Sequence, residues 1–317
     1  MASHPSSREI KATQIGLKVW FLPKEADDVE LDVVAVHGIA EDPDETWVHE
    51  TTKTNWLRDE LMLPGALKKA RIMRFGYNSV WFGKKAVKQS LGTVAGGLLS
   101  ALKMKRKECQ QRPIIFIGHC LGGLVIEQSY ITAKLEPDLY PGIYESITGI
   151  VFLGTPHRGN FESQKTQKTQ AAVFAAITQA KMQVQENILS TLAQDNDTLL
   201  NTVTQFSRDI RNQTSPPMLH CFFEQVGCNT GKMAGVETDP EEEEFVVNES
   251  SGTFDHHPKG GLALDHFQIN KFENEEDGNY EFVRETIIEM MERTKGILNG
   301  RETSKALPTS QRHGIHA

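Results

Sequence analysis

The ten residues Phe116–Val125 read FIGHCLGGLV. An apolar run leads into it, glycines stand two positions before and two positions after Cys120, and a helical pattern follows. This spacing is typical of a sharp strand-to-helix turn, in which the central residue is strained and a side chain two positions away would collide with nearby backbone. The pattern therefore predicts a nucleophile elbow that carries cysteine at the position where the motif usually has serine.

Apolar runs and helical patterns alternate along most of the chain. Several of the runs are continuous, which is typical of strands buried on both faces of a parallel sheet. The order predicts an α/β protein with a doubly wound, mostly parallel sheet. The predicted strands are Gly16–Pro23, Leu31–Gly38, Ala70–Tyr77, Pro113–His119, Ile147–Thr155, Met218–Gln225 and Glu244–Ser250. The predicted helices are Asn55–Leu63, Lys84–Lys107, Leu121–Leu135 and Tyr280–Leu298.

The sequence divides into one domain and two polar ends. The domain is predicted to cover residues 13–299, with a mobile tail at 1–12 and a mobile tail or linker at 300–317. Residues 160–212 separate two predicted strands and read as two helices. Because a crossover usually needs one helix, this stretch predicts either an inserted helical cap at the carboxyl edge of the sheet or extra helices that cover it.

Composition excludes several classes of function. The chain has 317 residues and a net charge of −8, and no basic stripe indicates nucleic-acid binding. Its four cysteines lack the paired spacing of a zinc site, and GCNTGKM at Gly227–Met233 is one residue too short for a phosphate-binding loop. We therefore expect no metal and no cofactor. Without a signal segment or an apolar run near ~18 residues, we expect no transmembrane segment and a cytoplasmic location.

Three interpretations of Cys120 are open from the sequence: a nucleophile, a small core residue, or the remnant of a lost active site. A thiol at a helix N-terminus lies near the positive end of the helix dipole, which favours the thiolate. A buried cysteine outside such a motif is commonly inert. The flanking glycines favour the nucleophile.

A triad on this kind of sheet runs nucleophile, acid, histidine along the chain. Glu224 at the end of the sixth predicted strand is a candidate acid, and Asp239 competes with it. For the base, position leaves His256, His257 and His266 open. The base would take the thiol proton and return it to the leaving group.

An oxyanion hole needs two backbone N–H groups that point at the developing negative charge. Leu121, which follows the nucleophile, supplies one of them in this motif. The segment HGI after the second predicted strand would supply the other, from Gly38 or Ile39. His157 and Arg158 either line the mouth of the pocket or anchor their loop, and neither is assigned to catalysis.

Four segments together resemble a known family: VHGIAEDPDETW (Val36–Trp47), FIGHCLGGLVIEQ (Phe116–Gln128), VFLGTPHRG (Val151–Gly159) and ALDHFQINKF (Ala263–Phe272). They resemble the α/β-hydrolase domain at the N-terminus of many fungal NACHT and ankyrin proteins. More distantly, they are similar to the lipase-like domains of GPI inositol deacylases. The resemblance covers nearly the whole predicted domain, but the family usually has serine where this chain has Cys120.

The resemblance implies an α/β-hydrolase fold and selects His266 as the base and Glu224 as the acid. It implies hydrolysis of a small-molecule or lipid acyl ester or thioester through Cys120. Two alternatives stay open because serine is replaced. In the first, the domain is a catalytically weak signalling module that binds protein partners through its C-terminal linker. In the second, it is an engineered Ser-to-Cys variant of an esterase or lipase.

Overall fold

The structure is a computed structural model that describes residues 10–25, 29–39, 41–79, 90–157, 201–228 and 245–306. The described residues form a seven-stranded sheet. Its strands are β1 (Gly16–Phe21), β2 (Leu31–Val36), β3 (Ala70–Gly76), β4 (Ile114–His119), β5 (Ile147–Leu153), β6 (Met218–Glu224) and β7 (Lys259–Leu262).

The strands lie in the order β1-β3-β2-β4-β5-β6-β7. Strand β1 runs antiparallel to β3, and every other neighbouring pair is parallel. The prediction of a doubly wound, mostly parallel sheet is therefore confirmed. This order puts β4, which carries the elbow, in the middle of the sheet with β2 and β5 beside it.

Helices cover the sheet on both sides. Those described are α1 (Leu63–Ala66), α2 (Leu91–Lys105), α3 (Leu121–Leu135), α4 (Ile143–Ser146), a helical segment at 201–211, α5 (Glu249–Gly252) and α6 (Gly278–Ala306). Within the described ranges, none of them combines the length and apolarity needed to cross a bilayer.

The core has two layers, one on each face of the sheet. In β4, Ile114 and Phe116 pack in the layer that contains residues of α2 and α3. Ile115 and Ile117 of the same strand pack in the opposite layer, which contains residues of α6. Every residue of β2, β4 and β5 is buried. The continuous apolar runs in the sequence are the direct consequence of this two-sided burial.

The seventh strand was predicted at the wrong place. Within Glu244–Ser250, the described residues form bends and the start of α5, and the last strand is β7, with the sequence KGGL. The earlier segment has an apolar pattern because it contains Val247, which is buried in the structure. Its N–H donates to the Glu224 carboxylate and not to a neighbouring strand. Two glycines in a four-residue strand carry no apolar signal.

Three helices have bounds that differ from the prediction. Helix α2 runs from Leu91 to Lys105, inside the predicted range Lys84–Lys107. Residues 55–62, predicted as most of a helix, form turns, and helix α1 begins with Pro64 in its first turn, where proline is favoured. At the other end, α6 continues beyond residue 299 to Ala306. The guanidinium of Arg301 is buried and donates to the carbonyls of Ser215 and Glu145 at 2.8 and 2.6 Å. These bonds hold the end of α6 against the domain.

Most of the predicted cap, residues 160–200, lies outside the described residues, as do Asp239, residues 1–9 and residues 307–317. The described part, 201–211, is helical and packs on the α3 side of the sheet. The ring of Phe206 lies 5.2 Å from Tyr130, 6.2 Å from Phe152 and 5.7 Å from Phe254, measured between ring centroids. This segment therefore belongs to the helical layer that covers the sheet.

A buried ion cluster closes the amino end of the sheet beside β2. Arg71 donates to both oxygens of Asp32, at 2.8 and 2.9 Å, and Arg112 lies 3.4 Å away. Arg106 makes a further close contact with the same carboxylate. Asp32 and Arg106 are both almost completely buried. Removal of the carboxylate would leave buried cations without an anion.

We expect Asp32→Ala to lower the free energy of unfolding by about 3–5 kcal/mol, the usual cost of breaking a buried ion pair from one side. The matched control is Glu30→Ala, which removes the half-exposed pair with Lys69 (2.6 Å) and should cost at most about 1 kcal/mol. Urea denaturation measures both. Equal losses in the two variants would contradict the interpretation of the cluster.

Candidate active site

Cys120 stands at the turn between β4 and α3, in a backbone conformation that few side chains adopt. Its φ is +50° and its ψ is −123°, and it is the residue that precedes the first turn of α3. Its N–H donates to the carbonyl of Leu153 at 3.0 Å. The residue is 3% exposed. Strain of this kind persists where the surrounding structure holds it in place, and it is common at functional sites.

The glycines around Cys120 are required by close backbone contacts. A Cβ added at Gly122 would lie 2.1 Å from the carbonyl oxygen of Val36. A Cβ at Gly118 would lie 2.6 Å from the Cα of Gly123. Helix α3 therefore starts directly against β2 and β4. The turn has the geometry that the G-x-C-x-G spacing predicts.

His266 and Glu224 lie at the same edge of the sheet as Cys120. Glu224 ends β6, and His266 follows β7. The Nδ1 atom of His266 is 3.7 Å from Oε1 of Glu224, which is longer than a hydrogen bond. Among the described residues, neither ring nitrogen of His266 has a hydrogen-bond partner. Both side chains are buried. Catalytic hydrogen bonds are often long before a substrate binds.

The protonation of His266 depends on both neighbours. Burial alone would lower its pKa, but the charges of Cys120 and Glu224 outweigh burial and raise the pKa of His266 to about 9. An imidazolium beside a thiolate is the charge arrangement that activates a cysteine. His266 thus lies where it interacts with both the thiol and the carboxylate.

The competing histidines lie elsewhere. His256 is exposed, with φ of +64°. The ring of His257 lies 6.2 Å from Phe254, and burial together with His256 and His157 lowers its pKa. Cys120 is not among the groups that shift the pKa of His257, whereas it raises the pKa of His266.

The loop after β2 holds the N–H groups predicted for the oxyanion hole. The Gly38 N–H donates to Oε2 of Glu41 at 2.7 Å, so this donor is already engaged. A Cβ added at Gly38 would lie 2.9 Å from the Cβ of Cys120, which means that the loop packs directly against the candidate nucleophile. Of the two residues that the sequence left open, Ile39 is the one whose N–H has no acceptor among the described residues. Leu121 begins α3, where N–H groups lack helical acceptors.

The uncharged imidazole ring of His37 holds this loop in place. Its Nε2 accepts from the N–H of Tyr77 at 3.2 Å, so its proton is on Nδ1, which donates to the Gly38 carbonyl at 2.9 Å. The hydroxyl of Tyr77 donates to the His37 carbonyl at 2.9 Å. Burial lowers the pKa of His37 to about 4.

A second cysteine, histidine and glutamate lie together inside the domain. The sulfur of Cys221 is 3.7 Å from Nε2 of His157, and Nδ1 of His157 is 2.7 Å from Oε1 of Glu127. Burial raises the pKa of Cys221 to about 12, which keeps the thiol protonated and poorly nucleophilic. Cys221 lies within β6 and not at a turn. The His157–Glu127 pair anchors the loop after β5, whereas Arg158 lies outside the described residues.

Sequence reasoning missed two residues of the site, Glu41 and His119. Nδ1 of His119 lies 3.0 Å from Oε1 of Glu41, and its Nε2 lies 3.1 Å from the carbonyl oxygen of His266. His119 occupies the variable position of the elbow motif, and Glu41 lies in a polar loop segment. Neither position carries a pattern that indicates a buried pair.

We expect the free energy of unfolding to fall as the pH falls from 6.5 to 4. Over this range His37 binds a proton in the unfolded chain but not in the folded protein, where its pKa is about 4. His37→Gln should remove up to about 3 kcal/mol of this loss. His220, whose pKa burial also lowers to about 4, contributes in both proteins. Urea denaturation across this pH range measures how the free energy of unfolding changes with pH in the wild type and in His37→Gln. Equal slopes in the two proteins would contradict the conclusion that His37 is uncharged in the folded state.

Comparison with sequences of known proteins finds weak relatives. No family model matches the chain. Protein SERAC1 of Danio rerio is 25% identical over 166 residues, which are 47% of this chain and 25% of that protein. Protein SERAC1 of Homo sapiens is 23% identical over 93 residues, 29% of this chain and 14% of that protein. The match thus spans a quarter or less of the length of these relatives.

Comparison with solved structures identifies the fold. The lipase BlEst2 of Bacillus licheniformis, in its mature form, superposes with a TM-score of 0.52 at 14% identity. The superposition covers 86% of this chain and 97% of the lipase. Together with the parallel sheet and the helices on both its faces, this likeness shows that the chain has the α/β-hydrolase fold.

Proposed function

We propose that this domain is an acyl hydrolase in which Cys120 attacks the carbonyl carbon of a carboxylic ester or thioester. The observation that carries the proposal is the strained cysteine at the N-terminus of α3 with a buried histidine beside it, whose pKa responds to both Cys120 and Glu224. A nucleophile, a base and a group that orients the base are the minimum for covalent acyl transfer.

In the acylation step, His266 holds the proton of the Cys120 thiol. The thiolate sulfur forms a bond to the carbonyl carbon, and the carbonyl π electrons move to oxygen. When the tetrahedral intermediate collapses, the bond to the leaving oxygen or sulfur breaks and His266 donates its proton to that atom. An alcohol or thiol departs, and the acyl group remains on Cys120 as a thioester.

In the deacylation step, His266 takes a proton from water, whose oxygen attacks the acyl-thioester carbon. The carbon–sulfur bond of the intermediate then breaks, which releases the carboxylic acid and regenerates the thiolate–imidazolium pair. Glu224 orients the ring through Nδ1 during both steps, over a separation that is 3.7 Å without substrate.

The negative oxygen of each intermediate would accept from the N–H groups of Leu121 and Ile39. Donors of this kind act mainly in the transition state, because they point at the position where charge develops. The Gly38 N–H already donates to Glu41, which favours Ile39 over Gly38 for this role.

The replacement of serine by cysteine favours particular acyl groups. Thiolates attack activated acyl groups readily, so an activated ester, a lactone or a thioester suits Cys120 better than an ordinary lipid ester. BlEst2, a lipase with the same fold, supports ester chemistry in general. Turnover restricted to long-chain triglycerides would contradict this preference.

We expect the wild-type protein to hydrolyse short-chain p-nitrophenyl esters or acyl thioesters, and Cys120→Ala to lose this activity. His266→Ala should lose about 10²-fold or more, as is usual when a general base is removed. Release of nitrophenol or thiol measures the rates, and mass spectrometry should detect an acyl group on the Cys120 peptide.

Cys120→Ser separates a working cysteine enzyme from a disabled site. A fall in turnover supports a true cysteine nucleophile. A large gain would contradict the proposal and indicate a signalling module, or an engineered variant, whose serine has been replaced.

We expect the pKa of His266 to fall from about 9 when Cys120 is replaced by alanine, because the thiolate that raises it is gone. NMR titration of the histidine rings measures the change, with His266→Gln used to assign the signal. His37, whose pKa of about 4 does not depend on Cys120, is the internal control. An unchanged His266 titration would contradict the thiolate–imidazolium pair.

A further inference from the structure

We propose that Glu41 and His119 are positioning residues that fix the oxyanion loop, residues 37–39, against Cys120. The inference rests on the proposed acyl-hydrolase function and names two residues that hold the site without touching the substrate. It follows from one chain of hydrogen bonds that joins the oxyanion loop, the elbow and the main chain of the candidate base.

The carboxylate of Glu41 is the centre of this chain. Its Oε2 accepts from the Gly38 N–H at 2.7 Å, and its Oε1 lies 3.0 Å from Nδ1 of His119. The main chain of Glu41 is fixed as well, because its N–H donates to Oγ of Ser79 at 3.2 Å and the Ser79 hydroxyl donates to its carbonyl at 3.0 Å. Glu41 therefore bridges the loop and the elbow from an anchored position.

The partners of His119 restrict where its protons are. Nε2 faces the His266 carbonyl, which can only accept, so this nitrogen carries a proton. Nδ1 faces the Glu41 carboxylate, so one proton lies between the ring and the acid. The Gly38 N–H donates to the same carboxylate, which favours its ionised form. One shared proton therefore joins the ring to the Glu41 carboxylate, and the other ring nitrogen holds the His266 carbonyl.

This chain of hydrogen bonds connects the parts of the site that acyl transfer requires. Gly38 precedes Ile39, whose N–H is the candidate oxyanion donor, and His119 precedes Cys120. The far end of the chain holds the main chain of His266. Because each bond is buried, loss of the carboxylate would release the loop from the elbow and leave the Gly38 N–H and the His119 ring without their anion.

The same protein contains a matched control. Glu127 and His157 form another buried pair, with 2.7 Å between Oε1 and Nδ1. That pair holds the loop after β5, and within the described part of the chain it makes no hydrogen bond to residues 37–39. A purely structural role for Glu41 predicts that Glu41→Ala and Glu127→Ala behave alike.

The experiment compares the 317-residue chain with its variants Glu41→Ala, Glu41→Gln and Glu127→Ala. Glutamine is the conservative variant, because its oxygen can accept from Gly38 while its NH₂ donates to a neutral His119. For each protein, kcat and KM are measured on the p-nitrophenyl ester that the wild type hydrolyses fastest. Alkylation of Cys120 by iodoacetamide is followed in parallel, because this displacement needs a thiolate but no oxyanion hole.

We expect Glu41→Ala to lower kcat by about 10–100-fold with little change in KM, less than the loss of an oxyanion donor itself, because the Ile39 N–H is displaced and not removed. Glu41→Gln should restore most of kcat, and the alkylation rate should stay within about threefold in both variants. Glu127→Ala should lose stability and keep kcat. Wild-type kcat in Glu41→Ala, or an equal loss of kcat in Glu127→Ala, would overturn the inference.

Amide hydrogen exchange gives a readout that needs no activity and works in any variant that folds. The Gly38 N–H should be protected in the wild type and in Glu41→Gln, and should exchange faster in Glu41→Ala. If Glu41→Ala does not fold, Glu41→Asp replaces it, since a shorter side chain cannot span both partners. Unchanged protection of Gly38 would overturn the inference. A wild type that hydrolyses no ester, but protects Gly38 through Glu41, would refute the proposed function alone.

Discussion

The close approach of α3 to β2 and β4 is the constraint on which the rest of the site depends. The carbonyl of Val36 leaves no room for a Cβ at Gly122, and Gly118 and Gly123 are in mutual contact. With the helix that near, the chain can pass from strand to helix only through a residue at positive φ, and that residue is Cys120. The strain is maintained by a strand that is buried on both faces, because such a strand cannot move to relieve it.

The two buried cysteines next to histidines show why this constraint matters for chemistry. Cys120 and Cys221 are both buried, and each has a histidine and a glutamate nearby. Cys221 lies within a strand, where burial raises its pKa to about 12. Cys120 lies at a helix N-terminus, beside a histidine whose pKa rises to about 9 in response to it. Composition is the same in the two clusters, and backbone position separates them.

The sequence was sufficient for the features that depend on local pattern. The sheet followed from apolar runs such as Leu31–Val36, and the elbow followed from two glycines at fixed spacing around Cys120. The strand at β7 did not, because the pairing of KGGL with β6 depends on backbone bonds that two glycines leave unmarked. Glu41 and His119 were missed for a related reason: they are 78 positions apart, and only the parallel pairing of β2 with β4 brings their side chains together.

The energetic cost of burying Glu41 and His119 explains why their position is informative. The cost of removing a carboxylate and a histidine ring from water is recovered only if their polar atoms find partners, so such a buried pair is weak evidence for stability alone. In the Asp32 cluster, arginines at the amino end of the sheet pair with the carboxylate, but the buried Nε of Arg106 has no partner among the described residues. The Glu41–His119 pair meets this condition with the Gly38 N–H and the His266 carbonyl. Its partners are therefore backbone groups of the site itself, and the geometry of the site and the satisfaction of the buried charges depend on the same bonds.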